Sequence, residues 1–341
     1  MTVSHGQFRI ERRRDPEVRV PDVMLKCVGF VGEVTHRDAD GVNGDLCATG
    51  FFVSVPSQNL PGSYCYFVTA KHVATDLADS EIYFLVNKKG GGTTRMNGVG
   101  DAWYLHPTDK TADVAVTQMA MTPDADMIAV PLGDFVTPLD IRNQTIGIGD
   151  EVFATGLFTP VTGSRSLLPI VRHGNIAMIP HEQVQTELGF ADVYLVEARS
   201  IGGLSGSPVW ARGSLLSAFQ SSASGEPVPV SLVGPGKLLG LMHGHWDVRE
   251  SKKNDYEVVH DRRGVNLGIG IVVPAMKILE TLHSLPLMAQ RNDEDEKQMK
   301  KSIPGTDSLK LKAKDEEQPT FTKEDFEVAL RKASRKKTSK N

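Results

Sequence analysis

From residue 23 to residue 274 the chain is a series of short apolar runs, each broken by Gly, Pro, Asn or Asp. VMLKCVGFVGEV (23–34), CATGFFVSV (47–55), YCYFVTA (64–70), EIYFLV (81–86) and DVAVTQMA (113–120) come first. EVFATGLF (151–158), IVRHGNIAMI (170–179), VYLVEA (193–198), LLGLMHGH (238–245) and GIGIVVP (268–274) follow. These runs are rich in β-branched and aromatic residues and too short for long helices, so the pattern predicts an all-β barrel or sandwich. One segment has another period. In PAMKILETLHSL (274–285), Met276, Leu279, Leu282 and Leu285 recur at helical spacing and predict a helix.

Both ends of the chain differ in texture. Residues 1–20 are polar and charged and read as an arm. From about 288 to 319 the chain is charged and nearly free of large apolar residues, which predicts a disordered linker. Residues 320–341 predict a short helix with a basic end, capped at Thr322 with Asp325 in the reciprocal position.

Composition narrows the function classes. A net charge of −4 over 341 residues is not that of a polycation, so nucleic acid is not an expected partner. No run reaches the roughly 18 apolar residues of a membrane span, and the arginine-rich start has no apolar run behind it, so neither a membrane nor a secretory route is expected. Three cysteines, Cys27, Cys47 and Cys65, form an odd set with no metal-ligand spacing and predict free thiols in a cytoplasmic protein.

The stretch ARSIGGLSGSPVWARG (198–213) holds the candidate chemistry. Gly202, Gly203 and Gly206 crowd around Ser205, where a core strand would place packing side chains. A serine hydroxyl attacks at neutral pH only with a base in reach, an orienting partner for that base and N–H donors for the oxyanion. His72 follows the apolar strand ending in TAKH (69–72), and Asp113 opens the next one, DVAV (113–116).

TAKH, DVAV and GLSGSP (203–208), in that order and separated by 41 and 92 residues, resemble the chymotrypsin/trypsin-like serine peptidases, in their bacterial Gly-x-Ser-Gly-Ser-Pro version. The resemblance covers about 21–287. It implies two packed six-stranded antiparallel β-barrels closed by a C-terminal helix, to which the charged composition after 288 adds a disordered tail. It also implies that Ser205 is the nucleophile, His72 the general base and Asp113 its orienting partner, with the N–H groups of Gly203 and Ser205 as the oxyanion hole. The expected activity is serine endopeptidase on a polypeptide substrate, with no cofactor. Two positions depart from the pattern: Leu204 stands where cleavage-activated members carry aspartate, and Val73 where many carry a disulfide cysteine.

By the family register, Arg199, Ser200, His243, Gly244 and His245 fall around the primary substrate pocket. A histidine or arginine there would select an acidic side chain, although His243 lies one residue late and needs a local bulge to face the pocket. His243 and His245 also read as His-x-His on one strand face, but no further ligand is near in sequence and no metal is assigned. Two alternatives stand beside the active peptidase. One is a catalytically silent scaffold; the other is a protease held in check by a protein partner on the C-terminal helix, or by the 213–237 loop.

Overall fold

The computed structural model describes residues 20–302 except 39–40, 100–101, 159–160, 162, 164, 187, 199–202, 214–218, 222–226, 230–235, 251–255 and 260–264. The first half forms strands β1 (Val28–Asp38), β2 (Gly41–Pro56), β3 (Ser63–Thr69), β4 (Ile82–Asn87), β5 (Thr93–Met96), β6 (Tyr104–Leu105), β7 (Ala115–Met119) and β8 (Val130–Pro131). They make one sheet in the order β5-β4-β1-β2-β3-β7-β6, with β8 parallel to β2. Its core centres on Phe67, whose ring meets Phe52 and Phe84 edge-on at 5.3 and 4.9 Å.

The second half adds β9 (Glu151–Gly156), β10 (Ile170–Met178), β11 (Val184–Thr186), β12 (Gly189–Ala191), β13 (Tyr194–Glu197), β14 (Pro208–Arg212), β15 (Phe219–Ser221), β16 (Pro227–Pro229), β17 (Lys237–Glu250), β18 (Tyr256–Val259) and β19 (Val265–Pro274). Strands β14-β9-β10-β13-β19-β17 close into a six-stranded barrel, because β14 pairs with both β9 and β17. Val152, Ile176, Val196, Val209, Leu239, Met242 and Val272 fill it. Strand β18 extends β17, while β11–β12 and β15–β16 are separate short hairpins.

The expectation of two closed barrels is corrected at the first sheet, which is not closed. The chain after β5 returns to β7 through one isolated bridge, Gly98 to Met119, flanked by bonds from Val99 N to Gln118 O (2.7 Å) and Ala120 N to Asn97 O (2.9 Å). Asn97 and Gly98 are poor strand formers, so the contact stays a single bridge and does not grow into a ladder.

Among the described residues, α-helices flank the strands: α1 (Asp22–Lys26), α2 (Lys71–Asp76), α3 (Pro138–Arg142), α4 (Ala275–Leu282) and α5 (Leu285–Ser302). Helix α4 is the one predicted from spacing, but its buried face is Ala275, Ile278 and Leu282; Leu285 is 82 % exposed and begins α5. The linker expected from 288 is corrected too, since residues 288–302 are helical. The rest of the linker and the expected helix at 320–341 lie outside the described residues, as does most of the 1–20 arm and of the 213–237 loop.

Two charged side chains one turn apart explain why α5 is not a solvated run. Arg291 and Asp295 are buried on one face. Arg291 donates to Tyr66 Oη and to the Leu282 carbonyl, both at 2.9 Å. The Asp295 carboxylate accepts from Ser57 Oγ, Asn59 Nδ2 (3.1 Å) and Tyr64 Oη (2.5 Å). Asp295→Ala takes the carboxylate from the buried Tyr64 hydroxyl, which keeps the Arg291 carbonyl at 3.0 Å as an acceptor, and from Ser57 and Asn59, which water can reach. It is expected to lower stability by about 1–2 kcal/mol, read as a drop in the urea midpoint.

Candidate active site

His72 is held by the start of α2. Strand β3 ends at Thr69, Ala70 turns the chain, and the first helical N–H groups have no partner inside the helix. Asp113 supplies one: the His72 backbone N–H donates to its Oδ1 at 2.9 Å. The same carboxylate takes the His72 ring, Nδ1 to Oδ2, at 2.8 Å. A carboxylate on Nδ1 fixes that nitrogen as the protonated one and leaves Nε2 as the basic nitrogen.

Asp113 sits just before β7 at the end of a tight loop and is 1 % exposed. Burial alone would raise its pKa. Hydrogen bonds from His243 and His72 outweigh burial and hold the carboxyl well below the usual carboxylate range. Asp109 shapes the loop, its Oδ1 accepting the N–H groups of Thr111 (2.9 Å) and Ala112 (3.2 Å), and α4 secures it through Lys277 Nζ to Asp109 Oδ2 at 2.7 Å.

Ser205 lies in the turn between β13 and β14. Gly203 and Gly206 have φ of +92° and +81°, the left-handed region that favours glycine. Thr49 of β2, fully buried, ties this turn to the first sheet. Its hydroxyl donates to the Gly203 carbonyl at 2.6 Å and accepts the Leu157 N–H at 2.8 Å, while its own N–H donates to the Ser205 carbonyl at 3.2 Å. Among the described residues, neither the Gly203 nor the Ser205 N–H donates a hydrogen bond. Both are therefore available to an oxyanion.

His243 is the surprise of the site. Strand β17 carries a bulge against β19, with Met242 opposite Val272 and Gly244 opposite Ile271, and His243 is the extra residue. Its ring, expected in the wall of the substrate pocket, turns instead to the centre of the site. Nδ1 lies 2.5 Å from Asp113 Oδ2, and the ring stands at 88° to that of His72 with centroids 5.4 Å apart. The His243 carbonyl accepts the Ser205 hydroxyl at 3.2 Å, so Ser205 Oγ rests on β17.

The structure thus brings His72, Asp113, Ser205 and Gly203 together and moves His243 from the pocket to Asp113. Gly244 and His245 follow on β17 opposite Ile271 and Gly270. Arg199 and Ser200 lie outside the described residues. Sequence reasoning missed Thr49, whose only signal is a polar residue amid the apolar run CATGFFVSV.

No known family's sequence profile matches this chain, and no curated protein does. Among solved structures, the chain is similar to the protease domain of MamO from Magnetospirillum magneticum in its apo form. The two share 18 % identity at a TM-score of 0.44, covering 77 % of this chain and 98 % of that one. At this distance, the side chains of this chain carry the functional case.

Proposed function

We propose that this protein is a serine endopeptidase with a trypsin-like arrangement that cleaves peptide bonds through an acyl-enzyme. The observation that carries the proposal is the double hold of Asp113 on His72, through the backbone N–H at 2.9 Å and the ring at 2.8 Å. In the reaction, Ser205 Oγ leaves the His243 carbonyl by rotation about its Cα–Cβ bond and donates to His72 Nε2. Oγ then attacks the scissile carbonyl while its proton moves to His72. The negative charge on the carbonyl oxygen is met by the N–H groups of Gly203 and Ser205. His72 returns the proton to the leaving amine, and water repeats the cycle on the ester. Asp113 stays ionised throughout and stabilises the imidazolium.

The same proposal places the enzyme in the cytoplasm, under the control of a protein partner. Its three cysteines are free; Cys27 and Cys65 are buried, and burial pushes the Cys65 thiol up to about 12, so it is inert as a nucleophile. No helix among the described residues is long and apolar enough to cross a membrane.

A fluorophosphonate serine-hydrolase probe tests the reading. Wild type is expected to be labelled stoichiometrically, and Ser205→Ala and His72→Ala not at all. Folded wild type that takes no label, with or without added cell extract, would leave a scaffold as the better account.

A further inference from the structure

A trypsin-like mechanism needs one imidazole on the aspartate; this site has two. Both Nδ1 atoms converge on the same oxygen, Asp113 Oδ2, and the donor atoms of His72, Asp113 and His243 all lie within 4.8 Å of one another. The three come from α2, from the loop before β7 and from the bulge in β17, so no local spacing in the sequence announces them. We propose that His72, Asp113 and His243 bind one divalent transition-metal ion of the zinc class, and that filling this site switches His72 off as a base.

The chemistry of the donors fits. Two imidazole nitrogens and one carboxylate oxygen favour Zn²⁺ or Co²⁺ over Mg²⁺ and Ca²⁺, which prefer all-oxygen sites. Three protein ligands with an open fourth position suit tetrahedral zinc. With metal–ligand distances of about 2.0–2.2 Å, the ligand atoms sit roughly 3.3 Å apart. The observed 2.8 and 2.5 Å must open by about 0.5 and 0.8 Å to reach that spacing, and the two histidine ligand atoms lie within 4.8 Å of each other. The perpendicular rings do not stack and so do not block each other. Asp113 is already oriented, because its other oxygen is held by the His72 backbone N–H.

The proton inventory gives the switch. A neutral imidazole carries one N–H. When Nδ1 binds metal, that proton moves to Nε2, so neither histidine loses a proton overall and no electron transfer is involved. His72 with a protonated Nε2 has no lone pair for the Ser205 proton. Metal binding therefore stands on its own, whereas loss of nucleophile activation rests on the peptidase proposal above.

Co²⁺ titration of the untagged full-length chain, followed by visible absorption and dialysis stoichiometry, tests the site. One Co²⁺ per chain with intense four-coordinate bands is expected, displaced by Zn²⁺. Ser205→Ala should keep the bands; His243→Ser should weaken binding by at least about 100-fold. Equal Co²⁺ affinity in His243→Ser and wild type overturns the proposal. In case that variant misfolds, wild type alone decides by diethylpyrocarbonate modification read by mass spectrometry. Zn²⁺ should protect both His72 and His243, and unchanged modification of either sinks the site. Zn²⁺ should also slow fluorophosphonate labelling of wild type, with EDTA restoring it; bound metal with undiminished labelling overturns the switch. A wild type that binds Co²⁺ through His243 but never takes the probe keeps the metal site and discards the peptidase.

Discussion

Asp113→Asn is expected to slow fluorophosphonate labelling and peptide hydrolysis by about 10⁴-fold while leaving the nucleophile in place. The carboxylate accepts three N–H groups: the His72 backbone, the His72 ring and the His243 ring. An amide of the same shape has one oxygen and one NH₂. Whichever way it is turned, its NH₂ faces at least one of these donors. A His72 ring facing NH₂ must present a bare Nδ1 and carry its proton on Nε2, where it cannot accept from Ser205. The charge also matters for folding. Because the folded-state pKa of Asp113 is depressed, its contribution to stability is complete above the unfolded carboxylate value of about 3.9. That contribution is lost only as pH falls through the lower folded value. The variant should therefore melt below wild type at neutral pH, and that margin should narrow as pH falls below about 3.9. A variant that labels at the wild-type rate would remove Asp113 from the mechanism.

What could be foreseen in this chain was local. TAKH, DVAV and GLSGSP each describe how a strand ends or a turn is made, and such geometry is encoded by neighbours in sequence. The helix at 275–282 was visible in its period. The features that went unseen depend on distant partners. Thr49 reaches Gly203 across 154 residues, and no property of its own neighbourhood records that contact. The bulge that His243 needs to turn inward is present in β17, but the ring it turns reaches Asp113, 130 residues away, and nothing in LLGLMHGH records that contact. Residues 288–302 look like a solvated charge run until Arg291 and Asp295 find their partners on the first sheet. The open first sheet was hidden for a similar reason. Closure depends on whether residues 97–99 lie along β7 as a ladder or touch it once, and strand composition does not decide that.

Gly206→Ala is expected to cost about 3 kcal/mol and to reduce labelling by about 100-fold, and the reason is two independent constraints at one Cα. Its φ of +81° is disfavoured for alanine by about 1–2 kcal/mol. An added Cβ would also lie 2.2 Å from the Thr49 carbonyl oxygen and 2.3 Å from Thr69 Oγ1. Neither atom can move cheaply. Thr69 Oγ1 donates to that Thr49 carbonyl at 2.7 Å, and Thr49 in turn holds Gly203 and Ser205. Making room for one methyl group therefore pushes the turn away from β2, adding a further 1–3 kcal/mol of overpacking. Because the oxyanion donors ride on the same turn, a displacement of about 1 Å is enough for the expected loss of rate. Gly133→Ala is the control: a Cβ there meets nothing within 4 Å, its φ is not in the left-handed region, and melting temperature and labelling should both stay at wild-type values. If Gly206→Ala behaves like Gly133→Ala, the turn is looser than the contacts around Thr49 require, and the tether from β2 does not set the oxyanion geometry.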